Sequence, residues 1–530
     1  MKVARNIMAL QKSVNTITLL SSAVAGIIGS GWLLSPLACV KIAGPAAILS
    51  WIIGGILMMI VASTFVILTR SLPITGGTVR FFQLTHGHFA GFGFSWIAWL
   101  AWVAVAPIEM MAIIQYSTNY LPSLMTHGAS PVLTTRGLCV ATLGIMIITM
   151  INAMGMKAYG RINHIILAIK LIIPIGAAIL LLTAQFHVSN FTATHGFMPY
   201  GIKSIFAALP LAGVIYSFIG FNPVVQLAAE AKSPRESIPI AIFGALFICM
   251  IIYVLVQIAF IAALPHSALT QGWSMIAFAG DAGPFAGLLT LFGFVWFVKA
   301  LYFDACISPY GTALVQSVAT SRITYAMCQN NYFPAYFMGT NKQGTPIRAL
   351  ILNTVIGFLF FLPFPSWQHM VGFLVSCLVL GYVVGPMSLM VLASQKSDLL
   401  KPFSEKIIHL ICIAAFYICN LLIYWSGWQI VFKIMILFLM GYAILLFTLL
   451  KNENSEASKN LHFSNGWWTI LYLVGTAIIS YFGSFGGGTH AIPFGIDFIV
   501  VAVFSVFIYG LAFCLSVKKN IMGSFKLMET

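Results

Sequence analysis

Charged residues are scarce in this sequence: they make up 7% of its 530 residues, and only 11 residues are acidic. A soluble chain of this length needs roughly a quarter of its residues charged. Hydrophobic residues make up 60% of the chain instead. The shortage of charge therefore excludes a soluble globular protein and predicts an all-α membrane protein.

Clusters of metal-ligating or catalytic side chains are also missing. The nine cysteines lack the spacing of metal ligands, and His86 and His88 have no cysteine or acidic cluster nearby. The apolar segments contain no paired nucleophile and base, as an enzyme needs. A channel needs a pore-lining ring, usually built by several chains. The sequence predicts no metal, no cofactor and no enzymatic activity.

Apolar segments of about 20 residues, the length that crosses a bilayer, follow one another almost end to end. We predict about fourteen transmembrane helices, which begin near residues 16, 46, 90, 137, 163, 204, 239, 285, 348, 370, 407, 429, 466 and 495.

The basic residues are distributed unevenly among the predicted loops. With a cytoplasmic N-terminus, twenty of the 26 Lys and Arg residues fall on the cytoplasmic side, three outside and three within spans. This asymmetry follows the positive-inside rule, so the net charge of +15 orients the chain in the lipid bilayer and does not indicate a nucleic acid partner. We predict a multi-pass protein of the bacterial inner (plasma) membrane with both termini cytoplasmic.

Two predicted spans contain residues that interrupt a helix. Residues 26–31 in span 1 hold three glycines and Ser30, and residues 216–223 in span 6 hold Gly220 and Pro223. Close helix packing also explains the first segment, and a simple proline kink also explains the second. Because the two segments lie five spans apart, they favour an inverted-repeat transporter with its site where both helices break.

These segments resemble signatures of the amino acid–polyamine–organocation superfamily of permeases. The matching segments are residues 29–31, 73–77, 217–222, 229–239 and 321–326, and together they span about residues 15–395. Residues 362–367, 424–428 and 481–486 extend the resemblance to the bacterial aspartate–proton symporters of this superfamily.

The resemblance implies a LeuT-like core of two five-helix inverted repeats over residues 1–395, followed by four further helices over residues 396–530. It also implies alternating access around a midplane site. The implied function is proton-coupled uptake of an acidic amino acid such as aspartate or glutamate. Two alternatives stay open: an amino acid exchanger, of a glutamate/GABA type or of broad specificity, and an amino acid sensor that does not transport.

The predicted breaks suit an α-amino acid. Free N–H groups around Ser30 and Gly31 suit a carboxylate, and carbonyls freed near Ile27, Tyr216 and Ile219 suit an ammonium group. The resemblance implies that Tyr216 packs on the substrate. The predicted substrate-binding residues are Ile27, Gly29, Ser30, Gly31, Tyr216, Ser217, Ile219, Gly220 and Asn222. Some relatives have an acidic residue where this chain has Asn222.

Ionisable residues within spans are functional candidates, because burying a charge in the membrane costs about 2.5–3.5 kcal/mol. Lys170 resembles the lysine that proton-coupled relatives place beside the broken first helix, and a purely structural lysine is the alternative. Glu109 is interpreted as a proton carrier, a polar wall or part of a structural salt bridge. Lys299 and Asp304 are candidate charges of the site, with Lys299 as the partner of an acidic substrate.

Overall fold

The computed structural model describes residues 14–74, 76–126, 132–277, 283–361, 367–395, 400, 403–451 and 465–517, of which 156–164 and 448–451 are described by their backbone alone. Helices dominate this part of the chain. Its extended pairing is limited to two isolated bridges, Val14 with Ala231 and Met125 with Leu133. The predicted all-α class is confirmed. The motif residues 362–366 lie outside the described residues, as does Thr75.

The described residues of the first half of the chain form ten α-helices: α1 (Thr16–Ile27), α2 (Gly31–Ala43), α3 (Ala47–Ser71), α4 (Gly77–Val103), α5 (Val105–Ser117), α6 (Thr135–Ala153), α7 (Met156–Ala184), α8 (Gly201–Leu211), α9 (Asn222–Gln226) and α10 (Pro234–Ala263). Those of the second half form ten more: α11 (His266–Leu269), α12 (Pro284–Leu291), α13 (Val295–Gln329), α14 (Ile347–Leu359), α15 (Trp367–Tyr382), α16 (Val384–Ser394), α17 (Glu405–Trp425), α18 (Trp428–Lys451), α19 (Trp468–Phe482) and α20 (Ile496–Cys514).

A helix is present at each predicted position, although those predicted near residues 90 and 163 begin earlier, at Gly77 and Met156. By length and composition, nine helices among the described residues are suited to cross a membrane, or ten when one bent pair counts as a span. Helices α1, α14 and α19 are apolar but shorter than a crossing needs. The multi-pass prediction is confirmed, and the number of fourteen spans stays a prediction.

The first predicted break separates α1 from α2. Helix α1 begins after Asn15, whose side chain caps the Thr18 N–H, and it ends at Ile27. Ile28 then adopts extended dihedral angles, and the helix resumes at Gly31. Two half-helices therefore leave carbonyls and N–H groups without partners inside the helix at the centre of span 1.

The second predicted break separates α8 from α9. Helix α8 ends at Leu211, Gly213 takes a left-handed φ of +80°, and a 3₁₀ segment follows over Tyr216–Phe221. The two halves of this span are bent by 45°. Pro223 lies in the first turn of α9, where its missing N–H is tolerated. This interruption is longer than the simple proline kink considered above.

The two breaks contact each other through glycines. A Cβ atom added to Gly26 would lie 2.5 Å from the Gly220 carbonyl oxygen, and one added to Gly220 would overlap the Gly26 backbone. A Cβ atom added to Gly31 would likewise overlap the Ser217 side chain. Small residues here do pack closely, as the alternative interpretation held, and the helix is broken at the same place.

Two of the segments that carried the family resemblance meet in a buried ion pair. The Arg322 guanidinium lies 3.2 Å from the Glu230 carboxylate, and both side chains are almost fully buried. Val14, two residues before α1, joins the same region, because its N–H donates to the Glu230 carbonyl at 2.9 Å. These contacts fix the start of span 1 to the loop that follows span 6.

Candidate functional site

Glu109 connects the two breaks. It lies on α5, two residues after Pro107, and its side chain is completely buried. One carboxylate oxygen accepts the Ser30 backbone N–H at 2.9 Å, and the other accepts the Tyr216 hydroxyl at 2.7 Å. A single carboxylate therefore occupies donors from the first break and from the second.

Lys170 lies on α7 and is bound to the carbonyls that the first break leaves free. Its ammonium donates to the Ala25 and Ile28 carbonyls, each at 2.5 Å, and to the Thr312 hydroxyl at 2.7 Å. These three bonds use all three donors of a lysine. The side chain is fully buried, so Lys170 supplies the broken end of α1 with hydrogen-bond donors.

Two tyrosines cover the remaining carbonyls at the breaks. The Tyr253 hydroxyl donates to the Ile27 carbonyl at 3.0 Å, and the Tyr382 hydroxyl donates to the Ile219 carbonyl at 2.5 Å. A carbonyl oxygen has two lone pairs, so each can accept a further bond. Two of the three carbonyls predicted to suit an ammonium group, those of Ile27 and Ile219, are thus buried and bound by side chains from α10 and α15.

Trp367 closes one side of the first break. Its indole N–H donates to the Ser30 hydroxyl at 2.8 Å, and its ring meets the Tyr216 ring edge-on at 6.2 Å between centroids. Gly29 faces Glu109, where an added Cβ would lie 2.7 Å from a carboxylate oxygen. The absence of a side chain at Gly29 therefore makes room for the acid.

A cavity with about 260 Å³ of space free of atoms, part of it open to solvent, lies between the breaks. It is lined by Gly26, Ile27, Trp102, Val105, Glu109, Tyr216, Ile219, Gly220, Thr312, Gln316 and Leu378. Among these described residues Glu109 is the one charged group. The Gln316 side-chain oxygen is buried without a hydrogen-bond partner in the described part of the chain.

Some of the predicted site residues line the cavity or contact Glu109, and others do not. Ile27, Tyr216, Ile219 and Gly220 line the cavity, and Gly29 and Ser30 contact the buried acid. Ser217 instead donates to the Gly213 carbonyl at 2.9 Å and packs against Gly31. Asn222 accepts the Gln226 side-chain amide at 3.0 Å and does not line the cavity.

The two further candidate charges on α13 differ in their surroundings. Asp304 is fully buried, and neither carboxyl oxygen has a hydrogen-bond partner within the described chain. It shares a helix face with Ser308 and Thr312, whose hydroxyls donate to the Ile28 carbonyl at 3.4 and 3.0 Å. Lys299 is exposed and is not among the residues that line the cavity, and its pairing with an acidic substrate stays a prediction.

Sequence reasoning missed several residues of this cluster. Thr312 and Gln316 lie one and two turns beyond Ser308 on α13, so the helical period from Asp304 would have indicated Thr312. Tyr253 and Tyr382 carry no local signal, because only the tertiary fold brings them to the broken spans. Trp367 is the last residue of the motif at residues 362–367, for which the sequence indicated a family resemblance and no role in the site.

The chain is similar to known transporters over nearly its whole length. Residues 14–450 match the model of the family described as amino acid permease. The glutamate/serine transporter AimA of Bacillus subtilis (strain 168) is 34% identical over 512 residues, which cover 94% of this chain and 93% of that protein. The aspartate-proton symporter of the same strain is 32% identical over 501 residues, with coverage of 94% and 95%. The aromatic amino acid transport protein AroP of Salmonella typhimurium (strain SL1344) is 24% identical over 378 residues, with coverage of 68% and 77%.

Proposed function

Because the chain belongs to the amino acid permease family, we propose that it carries an acidic amino acid, such as aspartate or glutamate, into the cell together with a proton. The relatives are transporters and not enzymes, so the predictions of amino acid transport and of no enzymatic activity are confirmed. One relative is named for glutamate and serine and another for aspartate and protons. These names support the acidic substrate and the coupled proton.

The proposed architecture is the five-plus-five inverted repeat over residues 1–395, with four additional helices over residues 396–530 and both termini cytoplasmic. Two interrupted spans in corresponding positions support it. One interruption lies between α1 and α2 and the other between α8 and α9. Alternating access around the cavity at these interruptions is the proposed mode of transport.

One observation carries the proposal: the Glu109 carboxylate holds the Ser30 N–H and the Tyr216 hydroxyl. These two donors thus already bind a carboxylate of the protein, which supports a carboxylate as their ligand. The substrate α-carboxylate is proposed to take the same donors, at the N-terminal end of the half-helix α2. The α-ammonium group is proposed to bind the free lone pairs of the Ile27 and Ile219 carbonyls.

Competition for these donors links the substrate to a proton. Two ionised carboxylates in one buried cavity repel each other, since little water screens them. Glu109 therefore takes up a proton when the substrate carboxylate displaces it, and the protonated acid then donates a hydrogen bond instead of accepting one. Glu109 thus occupies the two donors when substrate is absent and carries the proton when substrate is bound.

Lys170 is proposed to keep the first break open during this exchange. Its ammonium binds the Ala25 and Ile28 carbonyls, which a continuous helix would pair internally. A change in its charge or position alters these bonds and, through Thr312, the wall of the cavity. Lys170 and Glu109 are therefore the proposed coupling residues.

A small neutral amino acid such as serine is a second candidate substrate. The described residues that line the cavity include polar groups from Thr312 and Gln316 and no basic side chain. Such a lining suits a hydroxyl as well as a protonated or partly screened carboxylate. The relative named for both glutamate and serine is consistent with this breadth.

Uptake into proteoliposomes tests the proposal. The purified protein is first screened against the twenty amino acids by thermal shift, because a ligand that binds only the folded state raises the melting temperature. Each hit is then assayed as labelled substrate in empty vesicles with an acidic exterior. We expect accumulation of aspartate or glutamate that a protonophore abolishes. Uptake only into vesicles preloaded with amino acid indicates an exchanger, and binding without any uptake indicates a sensor.

A further inference from the structure

Helix α8, the first half of span 6, is held by aromatic residues of the last four helices. The Phe206 ring stacks on Trp425 of α17 at 4.7 Å and meets Phe498 of α20 edge-on at 5.4 Å. Phe494 lies 6.4 Å away in the loop before α20. Aromatic pairs at these separations attract each other beyond simple burial.

A second contact lies one turn earlier on α8. The Lys203 ammonium donates to the Ser484 carbonyl and lies 5.0 Å from the centroid of the Phe485 ring. A cation over an aromatic face is stabilised by the ring electrons. We call the four rings around Phe206 and Lys203 the aromatic socket; they are Trp425, Phe485, Phe494 and Phe498.

The aromatic socket is itself braced by a buried acid. Asp497 is fully buried and accepts the Tyr424 hydroxyl at 2.9 Å and the Phe498 backbone N–H at 2.9 Å. The same tyrosine oxygen accepts the Ser484 N–H at 3.1 Å. One acid thus ties together α17, the loop after α19 and the start of α20.

Two glycines bring the walls of the aromatic socket together. Gly427 has a φ of +85°, and an added Cβ would overlap Gly486, which has a φ of +45°. The Gln429 N–H donates to the Gly486 carbonyl at 3.2 Å across this contact. The motifs at residues 424–428 and 481–486, which had no role in the substrate site, therefore build the aromatic socket.

Helix α8 leads directly into the substrate cavity. It ends at Leu211, five residues before Tyr216, and the connection contains Gly213 at a positive φ. Such a connection gives α8 little rigidity of its own, so its position depends on what packs around it. We infer that the aromatic socket positions α8, and through it the Tyr216 hydroxyl, so that the last four helices set substrate affinity without touching the substrate.

This inference rests on the proposed transport function, and the Phe206→Ala variant tests it. Loss of the ring contacts frees α8 and disorders the Tyr216 donor. We expect the substrate concentration for half-maximal uptake to rise about fivefold, the equivalent of about one aromatic pair, with a smaller change in maximal rate. Phe206→Tyr keeps the ring and is expected to restore the wild-type value. Lys203→Met removes the bond to Ser484 and is expected to shift the same quantity less.

The matched control is Phe504→Ala. Phe504 is a partly buried ring on α20 that stacks on Tyr472 and has no contact with α8 among those described. We expect it to lower the amount of folded protein, and hence the maximal rate, without raising the half-maximal concentration. The inference is overturned if Phe206→Ala leaves that concentration unchanged or if Phe504→Ala raises it equally.

The two proposals fail in distinguishable ways. If the wild-type protein takes up no amino acid, the proposed function fails, and ligand binding by thermal shift then measures affinity in its place. If the wild type transports and Phe206→Ala keeps its affinity, only the role of the aromatic socket fails. Should Phe206→Ala not fold, Phe206→Leu and Lys203→Met measure the same shift in milder form, and no shift in either rejects the inference.

Discussion

Glu109 and Ser30 are joined by a hydrogen bond of 2.9 Å from the Ser30 backbone N–H to the Glu109 carboxylate. They lie 79 residues apart in sequence, Glu109 on α5 and Ser30 immediately before α2. The bond places a buried acid on a donor at the first turn of a half-helix. The proposed coupling of substrate to a proton depends on this bond.

Glu109→Gln keeps the size of the side chain and an oxygen that accepts the Ser30 N–H, but removes the group that takes up a proton. We expect exchange of labelled substrate across the vesicle membrane to continue, while accumulation driven by a proton gradient is lost. Counterflow and gradient-driven uptake measure the two activities in the same preparation. The control is Glu236→Gln, an exposed acid on α10. Full gradient-driven accumulation by Glu109→Gln would refute the mechanism.

Tyr216→Phe removes one donor to the cavity and keeps the edge-on ring contact with Trp367. A hydrogen bond to a charged group contributes about 1.5–3 kcal/mol. We therefore expect the half-maximal substrate concentration to rise by about tenfold or more, measured as initial uptake rate against concentration. Tyr310→Phe on α13 is the control, because that hydroxyl has no partner among the described residues. Equal effects of both substitutions would count against the assigned role of Tyr216.

Lys170→Ala removes the donors that bind the Ala25 and Ile28 carbonyls. We expect the response of uptake to the proton gradient to disappear, because the first break is no longer held in its present geometry. The control is Lys433→Ala, which removes an exposed lysine from the apolar helix α18 and is expected to have little effect. Undiminished gradient-driven accumulation in the Lys170 variant would dispose of its proposed part in coupling.

Gly220→Ala tests the contact between the two breaks. The new methyl group would overlap the Gly26 backbone, and overpacking of this kind destabilises by about 1–3 kcal/mol. We expect a lower melting temperature in detergent and loss of uptake. Gly510→Ala on α20 meets nothing within 4 Å and is expected to be neutral. Normal uptake by Gly220→Ala would show that the breaks separate more easily than the structure indicates.

Arg322→Ala leaves the buried Glu230 carboxylate without its ion-pair partner. Removing one member of a buried pair destabilises by about 3–5 kcal/mol, so we expect a clear fall in the melting temperature. The double variant Arg322→Met with Glu230→Gln removes both charges and is expected to lose less. Arg235→Ala, at an exposed position on α10, is the control. A double variant as unstable as the single one would contradict this account.

The sequence predicted the breaks well because their causes are local. Gly29 and Gly31 weaken a helix wherever they stand, and Pro223 limits the residues before it, so composition alone locates both interruptions to within a few residues. The start of α4 was predicted late, near residue 90, because Arg80 and the neighbouring polar residues obscure a helix that begins at Gly77.

The sequence could not predict which way each side chain points. Lys299 and Asp304 are five residues apart on α13, and only the packing of that helix shows that one is exposed and the other buried. The contacts of Tyr253 and Tyr382 with broken-span carbonyls depend on helices far apart in the chain. Lys170 was identified through its resemblance to relatives, and its three bonds depend on the position of α7 against α1 and α13.

The bonds that Glu109 accepts from Ser30 and Tyr216 bear on the state of the carrier after it releases its substrate. In the proposed mechanism, Glu109 reoccupies the Ser30 and Tyr216 donors after the substrate leaves. These donors are then paired within the protein, and a second substrate is not needed to occupy them. We therefore expect the carrier to return to the outside empty, which favours net import over one-for-one exchange.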